Sequence, residues 1–203
     1  MAVNSVSAYR VCSTNYVRPH NGYGSTLRDG GRWNSSKYAC IYSGGNRSIA
    51  QLEWVSHFLI NAVDFPKLTI ITYAIPESSI ISVDLSKHPN WIDDEILTKG
   101  LGDKFLAEKE FLALKVPSTM DTKEFNYIIN ANHPDFSEEE NVINDIEVLT
   151  LNKRFFEVKE FVKAALKASL PAKLRVNAKL LKYTIDPGPG PIPRTHRTGR
   201  HKR

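Results

Sequence analysis

Short β-branched apolar segments, separated by turns more often than by helices, are the feature of this chain that most constrains its fold. Residues 68–75 (Leu-Thr-Ile-Ile-Thr-Tyr-Ala-Ile) predict a buried strand, and residues 8–12 and 38–42 predict two more. Further short strands are predicted over 80–83, 111–116, 127–129 and 147–151. Because strands outnumber helices and do not alternate regularly with them, we expect an α+β fold and not a doubly wound parallel sheet.

Helical periodicity is confined to three segments. Ile49, Leu52 and Val55 recur at helical spacing and continue to Phe58 and Leu59, with Ser48 as the expected N-cap. A second helix is predicted over 103–109, and a third, with a clear apolar stripe, over 155–170. Residues 21–36 are rich in Gly, Asn, Ser and Arg, a composition that predicts a loop.

Charge is unevenly distributed along the 203 residues. The whole chain carries 27 Lys and Arg against 22 Asp and Glu, but residues 153–203 hold 14 of the basic residues and only three of the acidic ones. A basic balance favours nucleic-acid binding through counterion release, and here that argument applies only to the last quarter of the chain. The body before it is mildly acidic.

These features predict three regions: a body over 1–154, a helical extension over 155–186 and a disordered basic tail over 187–203, which opens with a Pro-Gly run. For the last two regions a structural helix, a partner contact, a nucleic-acid arm and sequence without a biological role all stay open.

The compartment is predicted from what the sequence lacks. Cys12 and Cys40 are too few for a disulfide framework or a zinc site, so a reducing cytoplasm is expected. No apolar run approaches the roughly 18 residues of a membrane span, and residues 1–9 do not resemble a signal peptide. We therefore expect no membrane association.

Functional-looking residues are densest between Gly30 and Glu53. The sequence Gly30-Gly31-Arg32-Trp33-Asn34 puts a planar charged donor on a loop where a phosphate can approach the backbone, although an ordinary loop with a solvated Arg explains it equally well. Neither a P-loop nor a Rossmann fingerprint is present, which argues against nucleotide hydrolysis and hydride transfer.

Three other candidates are weaker when taken alone. Glu53 is a single carboxylate in an apolar helical segment, and Ser118 follows Pro117 at a strand end without the surroundings of a nucleophilic serine. His133 with Asp135 supplies too few ligands for a metal, so no metal site is expected.

Taken in order, five blocks of this sequence resemble the RES domain, a family named for Arg, Glu and Ser that forms the toxin half of bacterial RES–Xre toxin–antitoxin pairs. The likeness spans about residues 9–154. The blocks are Gly30-Gly31-Arg32-Trp33-Asn34, Ile41-Tyr42-Ser43, Ala50-Gln51-Leu52-Glu53, Val116-Pro117-Ser118, and Asn126-Tyr127-Ile128-Ile129-Asn130 with His133-Pro134-Asp135-Phe136.

The resemblance implies a fold similar to ADP-ribosyltransferase toxins, in which two small packed sheets form a cleft for NAD. By that likeness the catalytic residues are Glu53, Arg32 and Ser118, and the NAD-binding residues are Arg32, Tyr42, Arg10, Ser118 and Asn130. The chain departs from the family where Ser36-Lys37 replaces a frequent Gly, where Ala131 replaces a Pro, and where residues 151–154 lack a frequent Asp.

The residue types suit cleavage of the nicotinamide–ribose bond. That reaction passes through an oxocarbenium-like state, which a carboxylate such as Glu53 stabilises, while nicotinamide leaves as a neutral base. Arg32 would pair with the pyrophosphate, Tyr42 would offer a flat face, and Ser118 and Asn130 would fix the ligand by hydrogen bonds.

The acceptor stays open: water, phosphate or a protein side chain would make the enzyme a glycohydrolase, a phosphorylase or an ADP-ribosyltransferase. A non-catalytic protein that binds a nucleotide or a partner is the other class of function. The resemblance implies an Xre-type helix-turn-helix antitoxin that covers the cleft, DNA contact only through that antitoxin, and no cofactor beyond NAD as substrate.

Overall fold

The computed structural model describes residues 4–18, 21–57, 67–136, 143–152 and 154. Within them the α-helices are α1 (Ser25–Asp29), α2 (Arg47–His57) and α3 (Glu95–Glu108). The strands are β1 (Ser5–Ser13), β2 (Cys40–Gly44), β3 (Leu68–Pro76), β4 (Ile80–Ser82), β5 (Ala113–Pro117), β6 (Phe125–Asn130) and β7 (Ile143–Leu149). Short 3₁₀ turns lie at Thr14–Tyr16, Glu77–Ser79 and Trp91–Asp93.

The strands form a sheet in the order β4-β5-β6-β2-β1-β3-β7, in which only the β4–β5 pair is parallel. Few helices and a mostly antiparallel sheet confirm the predicted α+β class. The two halves of the sheet are joined at a single residue pair, Tyr9 with Gly44, between β1 and β2. The expected pair of small sheets is thus one sheet, connected by that narrow link.

Each face of the sheet carries a hydrophobic cluster. One cluster takes side chains from both halves, including Ala8 and Tyr73 from one half and Ile41 and Ile129 from the other. The cluster on the other face packs β2, β5 and β6 against α3; its buried members are Trp33, Cys40, Trp91, Phe105, Leu106, Leu114, Val116 and Ile128. Because side chains alternate along a strand, residues of β6 with even numbers face this second cluster.

Helix α2 begins one residue before the predicted cap, because Asn46 and not Ser48 caps it. The Asn46 Oδ1 atom accepts a hydrogen bond from Ile49 N at 2.9 Å, the usual N-cap geometry. Ile49 and Val55 are buried as their spacing predicts, whereas Leu52 is 39% exposed. Phe58 lies outside the described residues.

The start of α2 contacts residues on or beside two strands, β6 and β7, which lie in different halves of the sheet. Asn46 Nδ2 donates to Glu124 Oε2 at 2.8 Å, just before β6. Arg47 makes a two-pronged ion pair with Glu147 on β7, and these hydrogen bonds lower the pKa of the Glu147 carboxyl. The helix is therefore fixed against both halves of the sheet.

Helix α3 is longer than predicted: it spans Glu95–Glu108, not 103–109. Asp94 caps it by accepting from Leu97 N at 2.9 Å. Gly100 and Gly102 interrupt its apolar pattern, which is why periodicity alone finds only its second half. The stretch predicted as a loop over 21–36 also contains a short helix, α1.

By its internal contacts the chain divides into two units, Met1–Phe155 and Phe156–Arg203. The second unit lies outside the described residues, as do the predicted helix over 155–170, the extension over 155–186 and the basic tail over 187–203; these stay predictions. In the part that the structure describes, no helix is long and apolar enough to cross a bilayer.

Candidate active site

Two side-chain donors hold the Glu53 carboxylate by one of its oxygens. Ser118 Oγ donates to Glu53 Oε1 at 2.9 Å, and Asn126 Nδ2 donates to the same atom at 2.6 Å. The other oxygen, Oε2, accepts no hydrogen bond from the described residues and lies 4.0 Å from Nε2 of His57. The side chain is 22% exposed. A carboxylate fixed on one oxygen and open on the other can accept from a ligand hydroxyl or stabilise positive charge.

The β5–β6 hairpin brings Ser118 and Asn126 to the same place. Val116 pairs with Asn126 across the hairpin, and Ser118, two residues beyond Val116, falls on the same face. Ser118 is fully buried, and its Oγ accepts from Met120 N at 3.0 Å, so the hydroxyl proton is directed to Glu53. The structure thus places Ser118 as a group that orients Glu53, and its expected direct contact with a ligand gains no support.

Tyr42 holds the glycine-rich loop in place. Its hydroxyl donates to Asn34 Oδ1 at 2.8 Å and accepts from Trp33 N at 2.9 Å. A Cβ atom on Gly31 would lie 2.5 Å from the Tyr42 hydroxyl oxygen, so only glycine allows this approach. Burial raises the pKa of the Tyr42 hydroxyl, which therefore stays neutral. The protein itself uses the hydroxyl, and only the ring remains for a ligand.

Arg32 lies on the same loop and close to Tyr42. Its Nη1 donates to the carbonyl oxygen of Ile92 at 2.6 Å, and its charge opposes the rise in the Tyr42 pKa that burial causes. The guanidinium has five N–H donors in one plane, of which this contact uses one. Arg32 is thus held in a defined position with donors remaining for an anionic ligand.

Helix α3 supports the loop from the other side. Thr98 Oγ1 donates to Arg32 O at 2.8 Å, and Asp103 Oδ1 accepts from Ser35 N at 2.7 Å. Between them, Gly102 lies directly against the backbone of Trp33, where a Cβ atom would be 1.7 Å from the carbonyl oxygen. The position of Arg32 therefore depends on α3.

The structure does not bring Arg10 to this face. Tyr9 lies opposite Gly44, which in turn pairs with Asn126, so the Tyr9 side chain is on the Asn126 side of the sheet. Arg10, the next residue, points to the opposite face, where it pairs with Ile71. The expectation that Arg10 joins Arg32 at one ligand gains no support from this geometry.

Asn130 is also separate from the Glu53 cluster. It is fully buried; its Nδ2 donates to Leu106 O at 3.1 Å and its Oδ1 accepts from Asn132 N at 3.0 Å. It lies four residues from Asn126 along β6, roughly 13 Å at the usual rise per residue. Its amide fixes the end of β6 against α3, and because the side chain is fully buried the expected ligand contact gains no support.

The remaining titratable candidates have local partners. His57 is 84% exposed beside Glu53, and the buried His133 accepts from Asp135 N at 3.1 Å through Nδ1. Burial raises the pKa of the Cys40 thiol to about 12, which argues against a thiolate nucleophile there. Among the described residues, no three His, Cys, Asp or Glu side chains are grouped to hold a metal ion.

Comparison with known proteins assigns this architecture to a family. A family model described as the RES domain matches residues 7–152, most of the chain. The chain belongs to the RES domain family. The match includes the Arg32 loop, Glu53 and the β5–β6 hairpin, so these residues lie inside the matched region.

Two curated proteins that are similar to this chain are named as toxins. The Toxin Res of Pseudomonas putida is 30% identical over 109 residues, which are 53% of this chain and 75% of that protein. The Toxin Res of Yersinia enterocolitica is 30% identical over 132 residues, or 63% of this chain and 86% of that protein. The chain is therefore a RES protein of the toxin type.

A solved structure shares the fold. The crystal structure of the M. tuberculosis MbcT–MbcA toxin–antitoxin complex contains a chain that aligns with a TM-score of 0.57 at 14% identity, covering 77% of this chain and 90% of that one. This agrees with the α+β fold that the order of strands and helices predicts.

Sequence reasoning missed several residues of the site. Asn126 opens one of the RES-like blocks and shares a face of β6 with Asn130, and this alternation was the one signal that could have found it. Thr98, Gly102 and Asp103 support the Arg32 loop from a helix that the sequence only half predicted. No local motif marks these three.

Proposed function

We propose that this RES toxin cleaves NAD at the bond between nicotinamide and ribose and so depletes the cell of NAD. The observation that carries the proposal is the Glu53 carboxylate, which Ser118 and Asn126 fix by one oxygen while the other accepts no hydrogen bond from the described residues. Breaking the bond develops positive charge on the ribose, and a preorganised carboxylate stabilises that charge. Nicotinamide leaves as a neutral base, so a single carboxylate suffices.

Arg32 is the proposed anchor for the pyrophosphate of NAD. Its guanidinium is held by Ile92 O, and Thr98 fixes the backbone that carries it, so it meets a phosphate without first being ordered. A planar guanidinium can donate two parallel hydrogen bonds to phosphate oxygens. The ring of Tyr42 lies beside it and offers an apolar face to the nicotinamide or ribose. Arg10 and Asn130 are left out of this site.

Arg32→Ala is expected to weaken NAD binding by about 1.5–3 kcal/mol, the usual contribution of a hydrogen bond to a charged group. Arg32→Lys is expected to restore only part of the affinity, because a point charge cannot make two parallel hydrogen bonds. The measurement is calorimetry with NAD in a Glu53→Gln background, which keeps the ligand intact. Equal affinity in all three proteins would remove Arg32 from the site.

The reaction is tested by incubating the purified protein with NAD, with and without phosphate, and identifying the products. Free nicotinamide with ADP-ribose indicates hydrolysis, and a phosphorylated ADP-ribose that appears only with phosphate indicates phosphorolysis. Nicotinamide release that requires an added protein, which then carries ADP-ribose, would replace the proposal with ADP-ribosyl transfer. NAD that stays intact under all conditions would contradict the proposed function.

We also propose that an Xre-type helix-turn-helix antitoxin silences the toxin by covering the face between Arg32 and Ser118, and that DNA contact belongs to that antitoxin. The fold neighbour was crystallised as a toxin–antitoxin complex, which supports an antitoxin partner. The test is to copurify the chain with such an antitoxin and measure NAD cleavage by the complex. A stable complex that cleaves NAD at the full rate would contradict a covered site.

A further inference from the structure

We infer that Asn126 is a positioning residue for Glu53: its amide locks one carboxylate oxygen so that the other faces the ribose of NAD. This inference rests on the proposed function and adds a residue to its mechanism. The first observation is the hydrogen bond from Asn126 Nδ2 to Glu53 Oε1, at 2.6 Å the shorter of the two that reach this carboxylate.

The donor pattern requires this orientation of the amide. Ser118 receives a hydrogen bond from Met120 N, so its own proton is given to Glu53 Oε1. If the Asn126 amide were reversed, its Oδ1 would face the carboxylate oxygen and two acceptors would meet. One donor alone would leave the carboxylate free to turn about its last torsion angle, whereas two donors, one just after β5 and one on β6, fix its plane.

The second observation is the opposite end of the same amide. Asn126 Oδ1 is buried and has no hydrogen-bond partner among the described residues. A buried acceptor without a partner is destabilising, and folded proteins avoid it. Stability therefore does not explain why position 126 is an asparagine. The hydrogen bond that its Nδ2 donates to Glu53 does explain it.

Attachment of α2 to the hairpin does not explain the contact either. At the start of α2, Asn46 already donates to Glu124 Oε2 at 2.8 Å, and Gly45 N donates to Phe125 O at 2.7 Å. These bonds hold the helix against the hairpin independently of Asn126. The Asn126–Glu53 bond therefore acts on the carboxylate itself.

The test compares three variants by steady-state NAD cleavage from pH 4.5 to 9. Asn126→Ala should lower kcat by at least about 10-fold, because a misplaced catalytic group reacts slowly. Its KM should stay within about twofold, because the lost contact is not made to the substrate. Thermal unfolding accompanies each measurement, so that a loss of fold is recognised.

Asn126→Asp keeps the shape of the side chain and puts a second carboxyl within hydrogen-bond distance of Glu53. Two carboxyls this close share a proton, so the acid limb of the kcat profile should move to higher pH by about one unit or more. His57, 4.0 Å from Glu53 Oε2, and Glu124, two residues before Asn126, are the same in every variant. Asn132→Asp adds the same charge at an exposed position and should leave the profile unchanged.

The outcomes separate the two proposals. If the wild-type protein cleaves NAD and Asn126→Ala keeps the wild-type kcat, the positioning role is overturned and NAD cleavage stands. The same holds if Asn126→Asp keeps the acid limb of the wild-type kcat profile. A loss of kcat with an unmoved acid limb in Asn126→Asp likewise indicates a structural role only. A wild-type protein that does not cleave NAD overturns the proposed function, and this inference falls with it.

Discussion

Glu53→Gln is expected to lower NAD turnover by at least about 100-fold, the usual effect of removing one electrostatic stabiliser of a transition state. Glutamine keeps an oxygen where Ser118 Oγ and Asn126 Nδ2 donate, at 2.9 and 2.6 Å in the native protein. Its amide nitrogen then takes the place of Oε2. The substitution removes the negative charge on the open side and retains both hydrogen bonds, so fold and NAD binding should survive.

The matched control is His57→Gln. His57 lies 4.0 Å from Glu53 Oε2 but is 84% exposed, so solvent screens its interaction with the carboxylate. Turnover of this variant should stay within about threefold of the native value. Glu53→Gln with native turnover would remove Glu53 from the mechanism, whereas a large loss in both variants would point to the helix surface and not to the carboxylate.

The same substitution can be tested in growing cells. Induced expression of the native chain in a bacterium should lower cellular NAD and stop division, because every redox pathway draws on NAD. Glu53→Gln should relieve both effects. Growth arrest with unchanged NAD would favour ADP-ribosylation of a protein target.

The RES resemblance singled out Glu53 as a candidate site residue, but its hydrogen-bond partners were only partly predictable from sequence. The block Asn126-Tyr127-Ile128-Ile129-Asn130 contains two asparagines on one face of β6. Which of them meets Glu53 depends on where α2 lies across the strand, and that is decided by Asn46 and Arg47 through contacts with Glu124 and Glu147, distant in sequence. A pattern within one strand carries no information about such contacts, and the resemblance named only Asn130, as an NAD-binding residue.

The strands were predicted better than the helices for a related reason. A run of β-branched residues such as that of β3 predicts a buried strand from local sequence alone. Its pairing with β1 agrees with that prediction. Helix α3 contains Gly100 and Gly102, which weaken local helix propensity, and it is stabilised by its contact with the Arg32 loop. In α3 the tertiary contact outweighs the low helix propensity, and the local sequence pattern does not reveal that contact.

Gly102→Ala is expected to destabilise the domain by about 3 kcal/mol or more. This exceeds the usual effect of adding a methylene to a core, because the added methyl group would collide with the backbone of Trp33, which cannot turn aside as a side chain can. A Cβ atom at Gly102 would lie 1.7 Å from the carbonyl oxygen of Trp33 and 2.7 Å from its carbonyl carbon. Either α3 or the loop must move. Movement would break the hydrogen bond from Thr98 to Arg32 O and separate Trp33 from Trp91, whose ring centres are 5.8 Å apart.

Gly100→Ala provides the matched control because it makes the same change two residues earlier in the same helix. A Cβ atom there meets no atom within 4 Å, so alanine only improves helix propensity and should stabilise the domain by about 0.5–1 kcal/mol. The measurement is chemical unfolding followed by tryptophan fluorescence, with calorimetry of NAD binding in a Glu53→Gln background. Gly102→Ala should lose affinity because the displaced loop carries Arg32, whereas Gly100→Ala should not. Equal stability of the two variants would show that the loop does not rest on α3, and the support proposed for Arg32 would be wrong.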